Sequence, residues 1–169
     1  MKDRFPQETL LFDAPMSGAP YSARNGSLTF MLGGPSSLLE NWHPLFASMG
    51  SQIHHLGELG AGMSVKVLNN YVASSSVVNV RRVLDACQAL NVSPKKLLQI
   101  MSESSGGTWY GNQFHEIDWA REGYSAENTI GILEKDVKSF LKAVEAEPLP
   151  EDSLLLERLR RLKPFDPEG

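Results

Sequence analysis

Residues 61–91 read AGMSVKVLNNYVASSSVVNVRRVLDACQALN, a run with no proline. At 1.5 Å of rise per residue this pattern predicts one helix about 45 Å long. Its apolar residues Val65, Val67, Leu68, Tyr71, Val72, Val77, Val78, Val80, Val83 and Leu84 go nearly all round the axis. A helix apolar on every side is central in its domain or shared with a partner chain. An all-helical region built on this segment is expected, and with it a homo-oligomer, in the simplest case a dimer. Lys66 stands near the start of this buried element, behind Gly60 and Gly62 and followed by Asn69 and Asn70.

The text before the helix is different. TLLFDAP (9–15), GSLTFMLGG (26–34) and SQIHHLG (51–57) are short, strand-like and bounded by Gly, Pro, Ser or Asn. Between the last two, SSLLENWHPLFASMG (36–50) starts on serines and ends in glycine as a short helix does, with Pro44 expected early or at a bend. This is the edge of an α/β sheet, so the chain divides at about residue 60 into 1–59 and 60–169. After the long helix, SPKKLLQIMSESSGG (93–107) has Ser93 as N-cap and Pro94 at the first helical position, and it closes on Gly106 and Gly107. An irregular aromatic loop, TWYGNQFHEIDWAREGYSAEN (108–128), comes next. TIGILEKDVKSFLKAVEAE (129–147) then reads as an amphipathic helix with Ile132, Val137, Phe140, Leu141 and Val144 inside. Pro148 and Pro150 stop it, and EDSLLLERLRRLK (151–163) is a last helix before a polar tail. The whole is mainly α.

Composition excludes several functions. With 16 Lys and Arg against 20 Asp and Glu, a net charge of −4, the chain lacks the basic face of a general nucleic-acid binder. Small anions remain possible ligands, because local donors hold them. The single Cys87 excludes an internal disulfide framework and fits a reducing compartment. No apolar stretch is long enough for a bilayer, and charges with Pro6 interrupt any leader in residues 1–10. An intracellular protein, cytoplasmic or mitochondrial, is expected, with no membrane partner. His54 and His55 are adjacent in a strand-like run and face opposite ways, and HEIDW at His115 lacks the second histidine of a zinc helix, so no metal is expected. There is no Gly-x-Ser-x-Gly elbow, no Walker loop and no G-x-G-x-x-G fingerprint.

Three stretches can carry chemistry. Lys66 and Asn70 are four apart and share a helical face, while Asn69 points to the adjoining strip. Two asparagines in an apolar helix need a reason. They either bridge neighbouring backbone groups while Lys66 snorkels to water, or they form an acid-binding point near a glycine-flanked helix start. In DAPMSGAPYSARNGSLTFMLGG (13–34), Ser17 and Gly18 form a turn whose hydroxyl and N–H groups can hold a carboxylate, although a turn without function reads the same. Glu134 to Asp136, EKD, reads by default as a solvated helix face.

Taken together, DAPMSGAPYSARNGSLTFMLGG, GAGMSVKVLNN, SSGGTW and LEKD resemble, in order and spacing, the β-hydroxyacid dehydrogenase family typified by 3-hydroxyisobutyrate dehydrogenase and related to 6-phosphogluconate dehydrogenase. The resemblance covers about residues 11 to 143. It implies the last strands of a Rossmann-type α/β domain that binds NAD or NADP, followed by an all-α, 6-phosphogluconate-dehydrogenase-like domain entered through a long interdomain helix. On this reading the chain is truncated, and the missing glycine fingerprint belongs to the absent half. The family's catalytic lysine falls on Lys66 and its substrate-orienting asparagine on Asn70. The lysine that contacts cofactor and substrate falls on Lys135. The Ser-Gly-Gly substrate turn falls on Ser17, Gly18 and Ala19, where alanine has replaced glycine and a backbone contact requires Ala19 to keep φ negative. Where the family often has phenylalanine about seven residues before Lys135, this chain has Asn128.

The implied chemistry suits the residues. Oxidising a β-hydroxy acid needs a hydride acceptor beside the carbinol carbon and a base for the hydroxyl proton. A lysine, at pKa about 10.4 in water, becomes such a base where apolar surroundings bring it towards 7–8. Asn70 can hold the reacting oxygen or position the lysine, and Ser17 with Gly18 can fix the carboxylate. Keeping Lys66, which related imine reductases usually lack, favours an oxo acid over an imine. The expected function is therefore hydride transfer between NAD(P) and a small β-hydroxy acid or semialdehyde. The alternative is a non-catalytic helical dimerisation module derived from such an enzyme.

Overall fold

The computed structural model describes residues 9–145 and 147–166. Residues 1–8, which carry most of the stretch read above for a leader, lie outside them. The chain forms two compact units, residues 1–66 and 67–169, and is mainly α.

The first unit is built on a three-stranded sheet. Strand β1 (Met16–Ser17) leads through α1 (Ala19–Arg24) to β2 (Leu28–Leu32), and α2 (Ser36–Ala47) crosses over to β3 (Gly50–His55). The order is β1-β2-β3, with β1 antiparallel and β3 parallel to β2. Central β2 buries Leu28, Phe30, Met31 and Leu32, an apolar run and no alternation, because both of its faces are covered. Leu39 and Phe46 of α2 close the core, with the Phe30 and Phe46 rings 5.0 Å apart and Phe12 edge-on to Phe46 at 5.9 Å. Two expectations need correction. TLLFDAP makes only an isolated bridge between Asp13 and Gly33, because Pro15 has no N–H to continue a ladder that resumes at Met16. Pro44 sits late in α2, whose last residue is Ala47, and it forfeits the bond to the Glu40 carbonyl in the turn before the last.

The long helix α3 spans Ala61–Ala86 and is shorter than its text suggested. Asn91 takes φ 54, and the Val92 N–H closes back on the Cys87 carbonyl, so the chain turns before Ser93 starts the next helix. Helices α4 (Pro94–Ser102), α5 (Trp109–Asn112), α6 (Thr129–Val144) and α7 (Pro150–Arg160) follow. Ser93 caps α4 as expected. On α3, Ser74, Val77, Val78, Val80, Arg81 and Leu84 are buried, whereas Leu68 and Val72 remain 52% and 64% exposed. Ser74, Ser75 and Ser76 each donate a hydroxyl to the carbonyl four residues back, which lets them sit in this apolar helix, and the Ser74 hydroxyl also lies 3.4 Å from the Leu133 carbonyl of α6.

The inner face of α6 also differs from expectation. Ile132 is 52% exposed and Val144 43% exposed, and the buried row is Ile130, Leu133, Glu134 and Val137. Glu134 turns inward because Arg160, Lys138 and Tyr124 supply its donors, and this rotation sends Ile132 outward. Phe140 and Leu141 are half-buried, with the Phe140 ring 4.3 Å from Tyr71. The aromatic loop is held by Arg81, which is 2% exposed. Its guanidinium donates to the carbonyls of Ala120 (3.0 Å), Glu122 (2.9 Å) and Lys163 and lies over the Phe165 ring. Helix α7 docks through Tyr71, whose hydroxyl donates to Asp152 at 2.5 Å, while Asp152 also accepts from the Leu149 N–H at the start of α7. That bond to a carboxylate, with burial, pushes the Tyr71 phenol up to about 12. Among the described residues no helix is long and apolar enough to cross a membrane.

Candidate functional site

In the first unit the sheet delivers the Ser17 turn. Ser17 pairs with Thr29 at the end of β1, and Gly18 follows at φ 135. A Cβ at Gly18 would stand 2.4 Å from that of Ser22, so only glycine fits. Ala19 has φ 57, against the negative value on which the sequence reading made its backbone contact depend. The condition set for an Ala19 backbone contact is therefore not met, and the alanine holds a left-handed backbone at a cost of about 1–2 kcal/mol.

Lys66, half-buried, is also in this unit, in the second turn of α3. The start of α3 is fixed by a residue that sequence reasoning passed over. Asp13 accepts from the Gly60 N–H at 2.6 Å through Oδ1 and from the Met63 N–H at 2.7 Å through Oδ2. These are two of the amides that the first turn of a helix leaves without partners, and a carboxylate there is favoured by the helix dipole. The same residue exchanges two backbone hydrogen bonds of 2.9 Å with Gly33, at the end of β2. The one available clue was that Asp13 opens the motif quoted above.

In the second unit, Asn70 donates through Nδ2 to Oδ2 of Asp136 at 2.9 Å. A carboxylate only accepts, so this contact fixes the orientation of the amide. It joins α3 to the turn of α6 that carries Lys135, so the expected solvated face EKD holds one buried acid, one exposed lysine and one acid bonded to Asn70. Lys135 carries no ion pair among the described residues. Glu134 anchors this turn: Arg160 grips it with Nε and Nη2, Lys138 reaches it at 2.5 Å and the Tyr124 hydroxyl donates to it. These bonds, Arg160 foremost, hold its carboxyl down to about 2 against the opposing effect of burial. Asn128 is the N-cap of α6, accepting from the Gly131 N–H at 3.2 Å and donating to the Gly123 carbonyl at 2.8 Å.

Ser17, Gly18, Ala19 and Lys66 thus belong to one compact unit, and Asn70 and Lys135 to the other; Lys66 and Asn70 are one turn apart on the same helix. His55 is committed to the backbone, with Nε2 at 2.9 Å from the Gly34 carbonyl and 3.1 Å from that of Gly57, so that nitrogen carries the proton. No group of three or more potential metal ligands occurs among the described residues. Cys87 is buried, which raises its thiol pKa. An open cavity of about 630 Å³ beside it, lined by Asn91, Ser93 and Lys96, contains none of the candidate residues.

Known proteins supply an independent comparison. A family profile described as the NAD-binding region of NADP-dependent 3-hydroxyisobutyrate dehydrogenase matches residues 60–154, and one for the NAD binding domain of 6-phosphogluconate dehydrogenase matches residues 5–57. An NAD-dependent L-serine dehydrogenase of Pseudomonas aeruginosa is 34% identical over 160 residues, which are 90% of this chain and 54% of the relative. The 3-hydroxyisobutyrate dehydrogenase of the same bacterium is 31% identical over 144 residues, 80% of this chain and 48% of its own. The chain thus spans about half the length of these relatives. Among solved structures, a Salmonella typhimurium 3-hydroxyisobutyrate dehydrogenase aligns with TM-score 0.70 at 21% identity, over 89% of this chain and 53% of that one. A Mycobacterium tuberculosis 3-hydroxyisobutyrate dehydrogenase with L-serine aligns with TM-score 0.66 at 22% identity, over 90% and 57%. These two show a shared fold. With a profile matching more than half of its residues and relatives of 31–34% identity along most of its length, the chain belongs to the β-hydroxyacid dehydrogenase family.

Proposed function

We propose that this chain provides the substrate turn, the proton-transfer lysine and the helical domain of an NAD(P)-dependent oxidoreductase acting on a small β-hydroxy acid or its semialdehyde. The observation that carries the reading is the pairing of a glycine-requiring Ser17–Gly18 turn and a half-buried Lys66 within one compact unit. The relatives are named for L-serine and 3-hydroxyisobutyrate. Both molecules have a carboxylate, an α carbon with one small substituent and a primary carbinol, so a site that grips the carboxylate and reacts at the carbinol suits either.

Each unit offers something that fits part of a nicotinamide dinucleotide. In the first, parallel β2 and β3 end in the loops at Gly33, Gly34 and Gly57, the end of such a sheet where ligands bind; in the second, Lys135 offers an exposed ammonium to an anionic group. When bound, the oxidised nicotinamide supplies the acceptor for the hydride. The Ser17 hydroxyl and the Gly18 N–H hold the substrate carboxylate. Lys66, as the free amine, takes the carbinol proton while the hydride leaves the same carbon, and the aldehyde forms; in the reverse direction the ammonium returns that proton. By the resemblance, Asn70, whose amide Asp136 orients, is the residue that orients the substrate.

The test is kinetic and is made in a protein that also supplies the dinucleotide fingerprint, since the 169 residues carry none and are expected to bind the cofactor weakly and turn over slowly or not at all by themselves. Lys66→Ala is expected to lower kcat and kcat/KM together by roughly two to four orders of magnitude, with cofactor affinity unchanged. Lys66→Arg is expected to stay inactive, because a guanidinium does not deprotonate near neutral pH. An active Lys66→Arg variant refutes the assignment. No turnover by that protein with Lys66 intact and the cofactor bound supports the non-catalytic helical module instead.

A further inference from the structure

We infer that Asp13 is a positioning residue that sets Lys66 against the Ser17–Gly18 turn; the inference rests on the reading of Lys66 as the proton-transfer residue. An ordinary helix cap comes from the residue just before the helix. Here the cap comes from 47 and 50 residues away, so the bonds from Gly60 and Met63 to Asp13 join two separate segments of chain. Both carboxylate oxygens are engaged, at 2.6 and 2.7 Å, the short range of charge-assisted bonds. Space around the carboxylate is built for it: a Cβ on Gly33 would lie 2.4 Å from Oδ1, and one on Gly62 would lie 2.7 Å from Oδ2 and 2.2 Å from the Met31 carbonyl. The two glycines let the helix start, the end of β2 and the acid meet at one point.

Along the chain, Ser17 comes four residues after Asp13, and Lys66 three residues after Met63. The carboxylate therefore links, within a few residues on either side, the segment that carries the hydroxyl to the segment that carries the amine. All of these residues lie in the first unit. Asp13→Asn keeps the shape but replaces one acceptor with an N–H that faces another N–H, which releases one end of the clamp.

The experiment uses the 169-residue chain with Cys87→Ser and spin labels on Ala23→Cys and Ser64→Cys, both exposed positions in the first unit. With Asp13 present the label separation is expected to be narrowly distributed. In Asp13→Asn it is expected to broaden, with amide hydrogen exchange at Gly60 and Met63 faster by roughly 10- to 100-fold, the loss of one or two charge-assisted bonds. In turnover of L-serine or 3-hydroxyisobutyrate, read in a protein that also supplies the dinucleotide fingerprint, Asp13→Asn is expected to lower kcat at least tenfold, leave the cofactor KM unchanged and raise the isotope effect from deuterium on the carbinol carbon. Should Asp13→Asn fail to fold, Asp13→Ser, which keeps one acceptor, is measured in the same way. A label distribution as narrow as that of wild type, or an unchanged kcat in a folded variant, overturns the inference. Normal turnover by Lys66→Ala refutes the lysine's role instead, and the label separation still reports whether Asp13 fixes the start of α3.

Discussion

Replacing Glu134 by glutamine should weaken the second unit in a way that depends on pH. The carboxylate is almost fully buried, and its pKa falls from 4.5 to about 2, chiefly through Arg160 and then through Lys138 and Tyr124. A drop of about 2.5 units corresponds to a ceiling of roughly 3.4 kcal/mol. The Arg160 and Lys138 side chains are 53% and 55% exposed, so water screens much of that, and about 1–2 kcal/mol is the expected net value. Because the folded pKa is the lower one, this stabilisation is complete above the unfolded value of 4.5 and disappears as pH falls towards 2. Urea unfolding of wild type and Glu134→Gln at a series of pH values gives the gap directly, and other titrating groups cancel in the difference. The gap should be about 1–2 kcal/mol at pH 7 and shrink steadily between pH 5 and pH 2. A gap independent of pH, or no gap at pH 7, refutes the assignment of the bonds to the ionised acid. Because Glu134 precedes Lys135 and Asp136 on α6, the variant is also expected to raise the cofactor KM.

Arg81→Met is expected to cost about 3–5 kcal/mol, since it strips three carbonyls of one buried donor, and Arg81→Lys should not rescue it because a single ammonium does not span them; thermal melts decide. Ala19→Gly should relieve the left-handed strain and raise stability by up to about 1 kcal/mol, partly offset by glycine's greater entropy when unfolded, and a lower melting temperature counts against the strain. The chain is expected to be at least dimeric in light scattering, with Leu68 and Val72, one turn apart and exposed on α3, in the contact. A Leu68→Glu, Val72→Glu double variant should then be smaller, and a monodisperse wild-type monomer ends this reading.

Elements whose signals are local were legible in the sequence. Ser93 and Pro94 start α4, and the runs at β2 and β3 are where their residues placed them, whereas Pro150, read as a stop, is the first residue of α7. The length of α3 and the place of Pro44 were missed on local grounds, but other misreadings involve a distant partner. Periodicity put Ile132 inside α6, yet Arg160, 26 residues on, and Tyr124, 10 residues back, pull Glu134 into that position. TLLFDAP has strand composition, but its Asp13 serves a helix that begins nearly fifty residues later. The Asn70–Asp136 bond spans 66 residues and could not be seen from the EKD text, in which a charged triplet reads as surface. Conversely, Ser17–Gly18 stood out early because a turn that only glycine can make leaves a mark in a single letter.

The grip of Arg81 on three carbonyls has a consequence for biosynthesis. Its partners lie 39, 41 and 82 residues towards the C-terminus. On a ribosome the sheet of the first unit has all its strands once His55 has emerged, and a domain of this kind folds as the chain lengthens. The guanidinium, in contrast, must wait until Lys163 is outside the tunnel. Until then a bare cation, with a hydrophobic helix around it, stands exposed in the nascent chain. Chaperone dependence and sensitivity to slowed translation should therefore concentrate in codons between 81 and 163, far from every residue of the Ser17 turn.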